Sequence, residues 1–248
     1  MLIALSVTGG AVFFAAIILV ILFRTIDPQI VRDGYVECAG RWHEAYLCGC
    51  EDGLASLPQQ PVNTYTNLAY LAAGIFPGVL LDTPAIYVFT FSMIYLFIGS
   101  SLYHAMSTSW AGMLDVTAIY VVYSALAVYA SAVLFGSPDW LIPLIMFVVA
   151  GLAAYVLSPR YHHNMNLKIA ILLGGTYVLL LLRMAFSGNW GPWPYLVASI
   201  VTFALGFLFW RMDKRRSFPL PRWGHGLWHI LTAAASGLVF YVIYLSGA

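Results

Sequence analysis

Charge is scarce in this chain. Only 8% of its 248 residues are Asp, Glu, Lys or Arg, and the net charge is +1, whereas a soluble domain carries about 25% charged residues. So little charge cannot cover a water-facing surface, which excludes a soluble globular domain, and a balance so near zero predicts no nucleic-acid partner. Alternation is missing as well: the apolar runs are long and unbroken, which argues against a membrane β-barrel. Cysteine is sparse and odd in number, with Cys38, Cys48 and Cys50 in one polar segment. The two thiols of Cys48 and Cys50 are an incomplete metal site, so all three are read as reduced thiols. The first apolar run has no basic residue before it and no small-x-small cleavage site, so an uncleaved span is expected rather than a signal peptide. Neither an internal repeat nor a second domain is visible.

What is present is apolar: 62% of the residues are hydrophobic and the mean hydropathy is +0.86. A span needs about 20 mostly apolar residues. Eight such runs are found, at 3–23, 63–81, 85–106, 111–135, 140–157, 166–186, 193–210 and 223–245. The fold class is therefore an all-α, polytopic membrane helical bundle. Most connectors are short and carry turn chemistry, as in Gly136-Ser137-Pro138-Asp139 and Phe218-Pro219-Leu220-Pro221. The long one, 24–62, holds six of the ten acidic residues and all three cysteines.

With eight spans the connectors alternate between two sides. One side receives Arg24, Arg32, Arg41, Arg160, Lys168, Arg211, Lys214, Arg215, Arg216 and Arg222, and the other receives Arg183 alone. Basic residues accumulate on the cytoplasmic side, so connectors 24–62, 107–110, 158–165 and 211–222 are expected there and both termini outside. The expected localisation is a multi-pass protein of the plasma (inner) membrane, and a reducing cytoplasm suits the unpaired cysteines.

Five polar side chains stand out against this apolar background: Ser100, His104, Asp115, His225 and His229. Asp115 is the only acidic residue inside any predicted span, and hydrocarbon offers no hydration to an ionisable group, so such residues are candidate functional sites. His104 lies near the end of the third span, Asp115 near the start of the fourth, and His225 and His229 at the start of the eighth. The alternating topology puts all four in the cytoplasmic leaflet at similar depth. Residues i and i+4 share a helix face, so His225 and His229 can present two imidazoles to one ion, and Ser100 lies on the face of His104. Three imidazoles leave a fourth tetrahedral position open, which is the arrangement of a catalytic zinc rather than a structural one. Asp115 would orient the water and accept its proton, and Ser100 could donate to the substrate oxygen or oxyanion.

Each residue has a plainer reading on its own. A histidine near a helix end commonly sits at the interface, His-x-x-x-His without Glu after the first His is not the zincin motif, and Ser in a span commonly bonds back to its own helix. Their convergence on one leaflet favours the metal. His43, His162 and His163 lie in polar connectors and are read as surface residues. Lys214-Arg215-Arg216 is read as a topology determinant and a headgroup contact, and Glu44, Glu51 and Asp52 fit no calcium loop by spacing.

Ser-x-x-x-His in one span, an Asp eleven residues beyond that His and His-x-x-x-His in the last span resemble the alkaline ceramidase family. Its wider superfamily includes adiponectin and progestin receptors and hemolysin III-like proteins. The segment Pro61-Val62-Asn63-Thr64-Tyr65-Thr66-Asn67-Leu68 looks like the start of the first core span in ceramidases and their bacterial relatives, and Cys50-Glu51 resembles their N-terminal segment. The resemblance covers roughly residues 50–230. It implies an extra N-terminal transmembrane helix at 1–24, a polar cytoplasmic connector at 25–61 and a seven-helix core at 62–248.

It also implies a zinc-dependent hydrolase that cleaves the amide of a ceramide-like lipid within the bilayer. His104, His225 and His229 would be the zinc ligands, Asp115 the acid/base and Ser100 an assistant at the metal or oxyanion. Animal members carry an acidic calcium site, of which Glu51 alone is retained here; Cys48, Gly49, Gly53 and Gln60 stand at its other positions, which argues against calcium dependence. Two other readings use the same residues: a receptor-like protein whose zinc holds helices together, and a proton or ion transporter with a His/Asp relay. Clustering in one leaflet, with no ionisable path to the other side, counts against the transporter.

Overall fold

The computed structural model describes residues 2–25, 58, 60–157, 165–215, 217–220 and 223–247. Among them the chain is an all-α membrane bundle with no strand. In chain order the helices are α1 (Leu2–Thr25), α2 (Pro61–Thr66), α3 (Leu68–Leu80), α4 (Ala85–Met106), α5 (Ser109–Phe135), α6 (Ile142–Leu157), α7 (Met165–Ser187), α8 (Trp193–Lys214) and α9 (Trp223–Gly247). Five of them, α4, α5, α7, α8 and α9, are long and apolar enough to cross a membrane. The other expected spans correspond to α1, to α2 with α3, and to α6. Cys38, Cys48, Cys50, His43, Glu44, Glu51, Asp52, His162 and His163 lie outside the described residues.

Two expected boundaries are corrected. The second span is not one helix: it starts at Pro61, whose missing N–H costs nothing in a first turn, and tightens at Asn67, where the Tyr70 N–H bonds back three residues to the Asn67 carbonyl at 2.9 Å. The seventh span does not stop at 210 but runs on to Lys214, which carries Asp213 into the helix. Asp115 is therefore not the only acidic residue in a spanning helix.

Local chemistry sets the hairpin that carries much of the site. Ser107 takes a left-handed conformation (φ 51°) and its N–H bonds the Tyr103 carbonyl at 2.7 Å, ending α4. Thr108 is extended, and α5 starts at the next residue. A two-residue link thus folds α5 back along α4, with the end of one beside the start of the other. Gly136 (φ 68°) ends α5 at the far side.

Among the five long helices α5 is the most enclosed and α8 the least. The core joins α4, α5 and α9: Phe89 stacks on Phe240 at 4.5 Å, and Tyr129 meets the same ring at 5.3 Å. Met93, Leu126 and Ile243 fill the space around them. Large apolar side chains such as Phe147, Ile171, Phe186 and Leu208 point outward, as lipid permits. Lipid tails are themselves apolar, so helices gain little by hiding such groups from them, and close backbone approach does more. Position 99 shows this: a Cβ there would stand 2.9 Å from the main-chain carbonyl of Leu114. Only glycine lets α4 lie so near α5, immediately beside Ser100 and Asp115.

Candidate metal centre

Three helices build one end of the bundle, and two of them deliver its three imidazoles. His104 comes from the last turn of α4, and His225 and His229 from the first two turns of α9. The ring centroids lie 4.8 Å apart for His104 and His225, 4.9 Å for His104 and His229, and 4.8 Å for His225 and His229. One ring nitrogen from each lies within 4.8 Å of the others. Bonds of 2.0–2.1 Å to a tetrahedral ion bring such nitrogens to about 3.3 Å of one another, so each has to move inward by less than about 1 Å. His104 and His229 are each only 2% exposed, while His225 is half-buried.

The third helix is α2, which supports the rings from behind. The Gln60 side-chain oxygen accepts from His104 Nδ1 at 2.7 Å, and the Gln60 main-chain N–H donates to the His104 carbonyl at 3.1 Å. The Asn63 carbonyl accepts from His229 Nδ1 at 3.1 Å, and Thr66 Oγ1 stands at the same distance from that nitrogen. With both Nδ1 atoms engaged outward, Nε2 of each ring is left for the centre. The residues thus fit a resident metal ion: three imidazole nitrogen donors, two of them buried and oriented by outer partners and the third half-buried.

Asp115 and Ser100 stand beside this triad as a pair. Their side chains are hydrogen-bonded to each other, and Asp115 lies within electrostatic range of His225. The hydroxyl proton of Ser100 is directed at the carboxylate. The structure therefore brings all five sequence-predicted residues to one end of the bundle, on α4, α5 and α9. Deeper in, Tyr70 Oη lies 2.8 Å from Thr232 Oγ1 and the Tyr70 ring is tilted against His229 at 5.9 Å between centroids.

Four contributors were not foreseen as part of the centre: Gln60, Asn63, Thr66 and Asp213. Asp213 reaches from the last turn of α8 to accept the main-chain N–H of His225 at 2.9 Å. A sequence signal exists for the first three. Gln60, Asn63 and Thr66 recur every third residue along the start of an apolar span, with Thr64 and Asn67 between and after them, and Asn63, Thr64 and Asn67 are all buried. On the outer side of α2 and α9 lies an open apolar groove of about 620 Å³, lined by Val62, Tyr65, Thr66, Ala69, Trp223 and Ile230 among others.

Compared with protein families, residues 57–240 match the family described as haemolysin-III related. No curated protein matches the chain.

Proposed function

From the haemolysin-III related family, to which the chain belongs, and from the convergence of His104, His225 and His229, we propose an integral-membrane, zinc-dependent amide hydrolase. Its substrate is a ceramide-like N-acyl lipid, and its products are a free fatty acid and a sphingoid base or related amine. The family shares a superfamily with ceramidases and adiponectin receptors, which supports the choice of chemistry. The single observation that carries the reading is the Ser100–Asp115 pair standing beside three imidazoles. A structural metal needs only its ligands and can share such a pair, whereas hydrolysis requires a carboxylate beside them to take the proton from water.

A zinc ion held by the three rings would supply Lewis acidity toward a carbonyl oxygen and toward water. In the hydrolysis, water's oxygen bonds the acyl carbon, the C–N bond breaks, and the proton taken from water ends on the leaving amine. Asp115 holds that proton in between. Ser100, with its own proton on the carboxylate, acts by fixing the orientation of Asp115. The outer groove between α2 and α9 is almost wholly apolar, which suits a lipid partner and no nucleic acid. The one-sided distribution of Lys and Arg supports placing the site in the cytoplasmic leaflet of the plasma (inner) membrane, with both termini outside.

The test is release of fatty acid from ceramide by the purified protein in lipid nanodiscs. Asp115→Ala and His225→Ala are expected to abolish it. Unchanged hydrolysis in both variants overturns the mechanism. A second reading is favoured by the family match itself: a haemolysin-III-like or receptor-like bundle in which the metal ties α4 to α9. It predicts bound zinc with no turnover in the same assay.

A further inference from the structure

The outer partners of the imidazoles form a device of their own. An amide oxygen carries no proton, so a 2.7 Å contact between Gln60 Oε1 and His104 Nδ1 requires the ring to donate. The same oxygen accepts from Asn63 Nδ2 at 3.0 Å, which holds the amide in that orientation. A main-chain carbonyl also only accepts, so His229 Nδ1 donates to Asn63. Thr66 donates its hydroxyl to the Val62 and Asn63 carbonyls and can only receive from the ring. One short helix thus sets the tautomer of two imidazoles on two other helices. Its position is itself fixed: the Gln60 N–H bonds the His104 carbonyl, and a Cβ at Gly226 would stand 2.9 Å from Val62 Cγ1.

The acceptors are all neutral. Among the described residues the Nδ1 atoms of His104 and His229 meet an amide, a carbonyl and a hydroxyl, and no carboxylate. A carboxylate in such a place raises the donor strength of the imidazole, whereas a neutral acceptor orients the ring and adds less to it. We infer that Gln60 is a positioning residue for the metal, acting through His104 as a proton acceptor whose neutrality holds metal affinity below what the same geometry could reach. The inference rests on the proposed metal site, and concerns what sets that site's strength.

The test is zinc affinity by chelator competition, together with the visible absorption of the cobalt(II)-loaded protein, for wild type, Gln60→Leu and Gln60→Glu in nanodiscs. Gln60→Leu removes the acceptor and is expected to weaken zinc by about 10–100-fold and to alter the cobalt spectrum. Gln60→Glu keeps an acceptor at that position, adds charge, and is expected to bind zinc about 10-fold more tightly than wild type. Wild-type affinity and spectrum in Gln60→Leu overturn the positioning role and leave the metal site standing. Weakening in Gln60→Glu equal to that in Gln60→Leu also overturns it, because a role in packing alone treats both as equally foreign. A wild-type protein that takes up neither metal overturns the metal site itself, and the inference with it.

Discussion

The carboxylate of Asp213 closes α8 onto the first turn of α9, its Oδ2 accepting the main-chain N–H of His225 at 2.9 Å. The first N–H groups of a helix have no partner within it, and an acidic side chain there satisfies one of them while matching the positive end of the helix dipole. Asp213 is 4% exposed, so the contact is sheltered from water. It fixes the backbone of one candidate ligand from a helix that contributes no ligand itself. Asp213→Ala is expected to lower stability by about 1 kcal/mol and to weaken zinc retention, whereas Asp213→Asn, which can still accept, should do less. Thermal unfolding and zinc content of the three proteins check this.

The metal itself should stabilise the bundle, because it ties α4 to α9. Chelation is expected to lower the unfolding temperature of the wild-type protein, with about 2.7 kcal/mol lost when free zinc falls from a hundredfold excess over Kd to none. His104→Ala, His225→Ala and His229→Ala should each be insensitive to chelator. A variant that still responds as wild type does would not have lost a ligand.

Asp115 and Ser100 should separate chemistry from metal binding. Asp115→Asn is expected to reduce fatty-acid release by 10²–10⁴-fold, roughly the range for a general acid–base group, with zinc content unchanged. Ser100→Ala removes one hydrogen bond to that carboxylate, worth about 1 kcal/mol, and should slow release by about 5–10-fold. Parallel zinc analysis and product measurement distinguish this outcome from simple loss of metal.

Two glycines should fail in different ways. Gly99→Ala forces a methyl group against the Leu114 carbonyl and displaces the start of α5, where Asp115 sits. Gly226→Ala forces one against Val62 and Thr66 and displaces α2, which holds His104 and His229 from behind. Overpacking of this kind costs about 1–3 kcal/mol. Gly99→Ala is expected to lower turnover more than zinc affinity, and Gly226→Ala to lower zinc affinity first.

Much of the centre could be read from the chain because its ligands obey helix spacing. His225 and His229 share a face by their separation of four, and the alternation of spans puts His104 and Asp115 at the same end. What was missed lies at helix ends. Arg211, Asp213 and Lys214 interrupt the apolar run, so hydropathy ends the span at 210, yet a helix continues through charged residues as long as its backbone bonds continue. Gln60 sits one residue before Pro61 and reads as the end of a polar connector. Its part depends on His104, 44 residues away, and no local pattern announces a hydrogen bond across that distance. The tightening at Asn67 is likewise silent, since neither Gly nor Pro marks it.

Free fatty acid released from ceramide, measured by mass spectrometry for zinc-loaded wild type and zinc-loaded Asp115→Ala, tests the central claim most directly. Steady release by the wild type and its loss in the variant, at equal zinc content, is the predicted result. Equal zinc in both proteins with no release from either would contradict the hydrolase and leave a bundle held together by its metal.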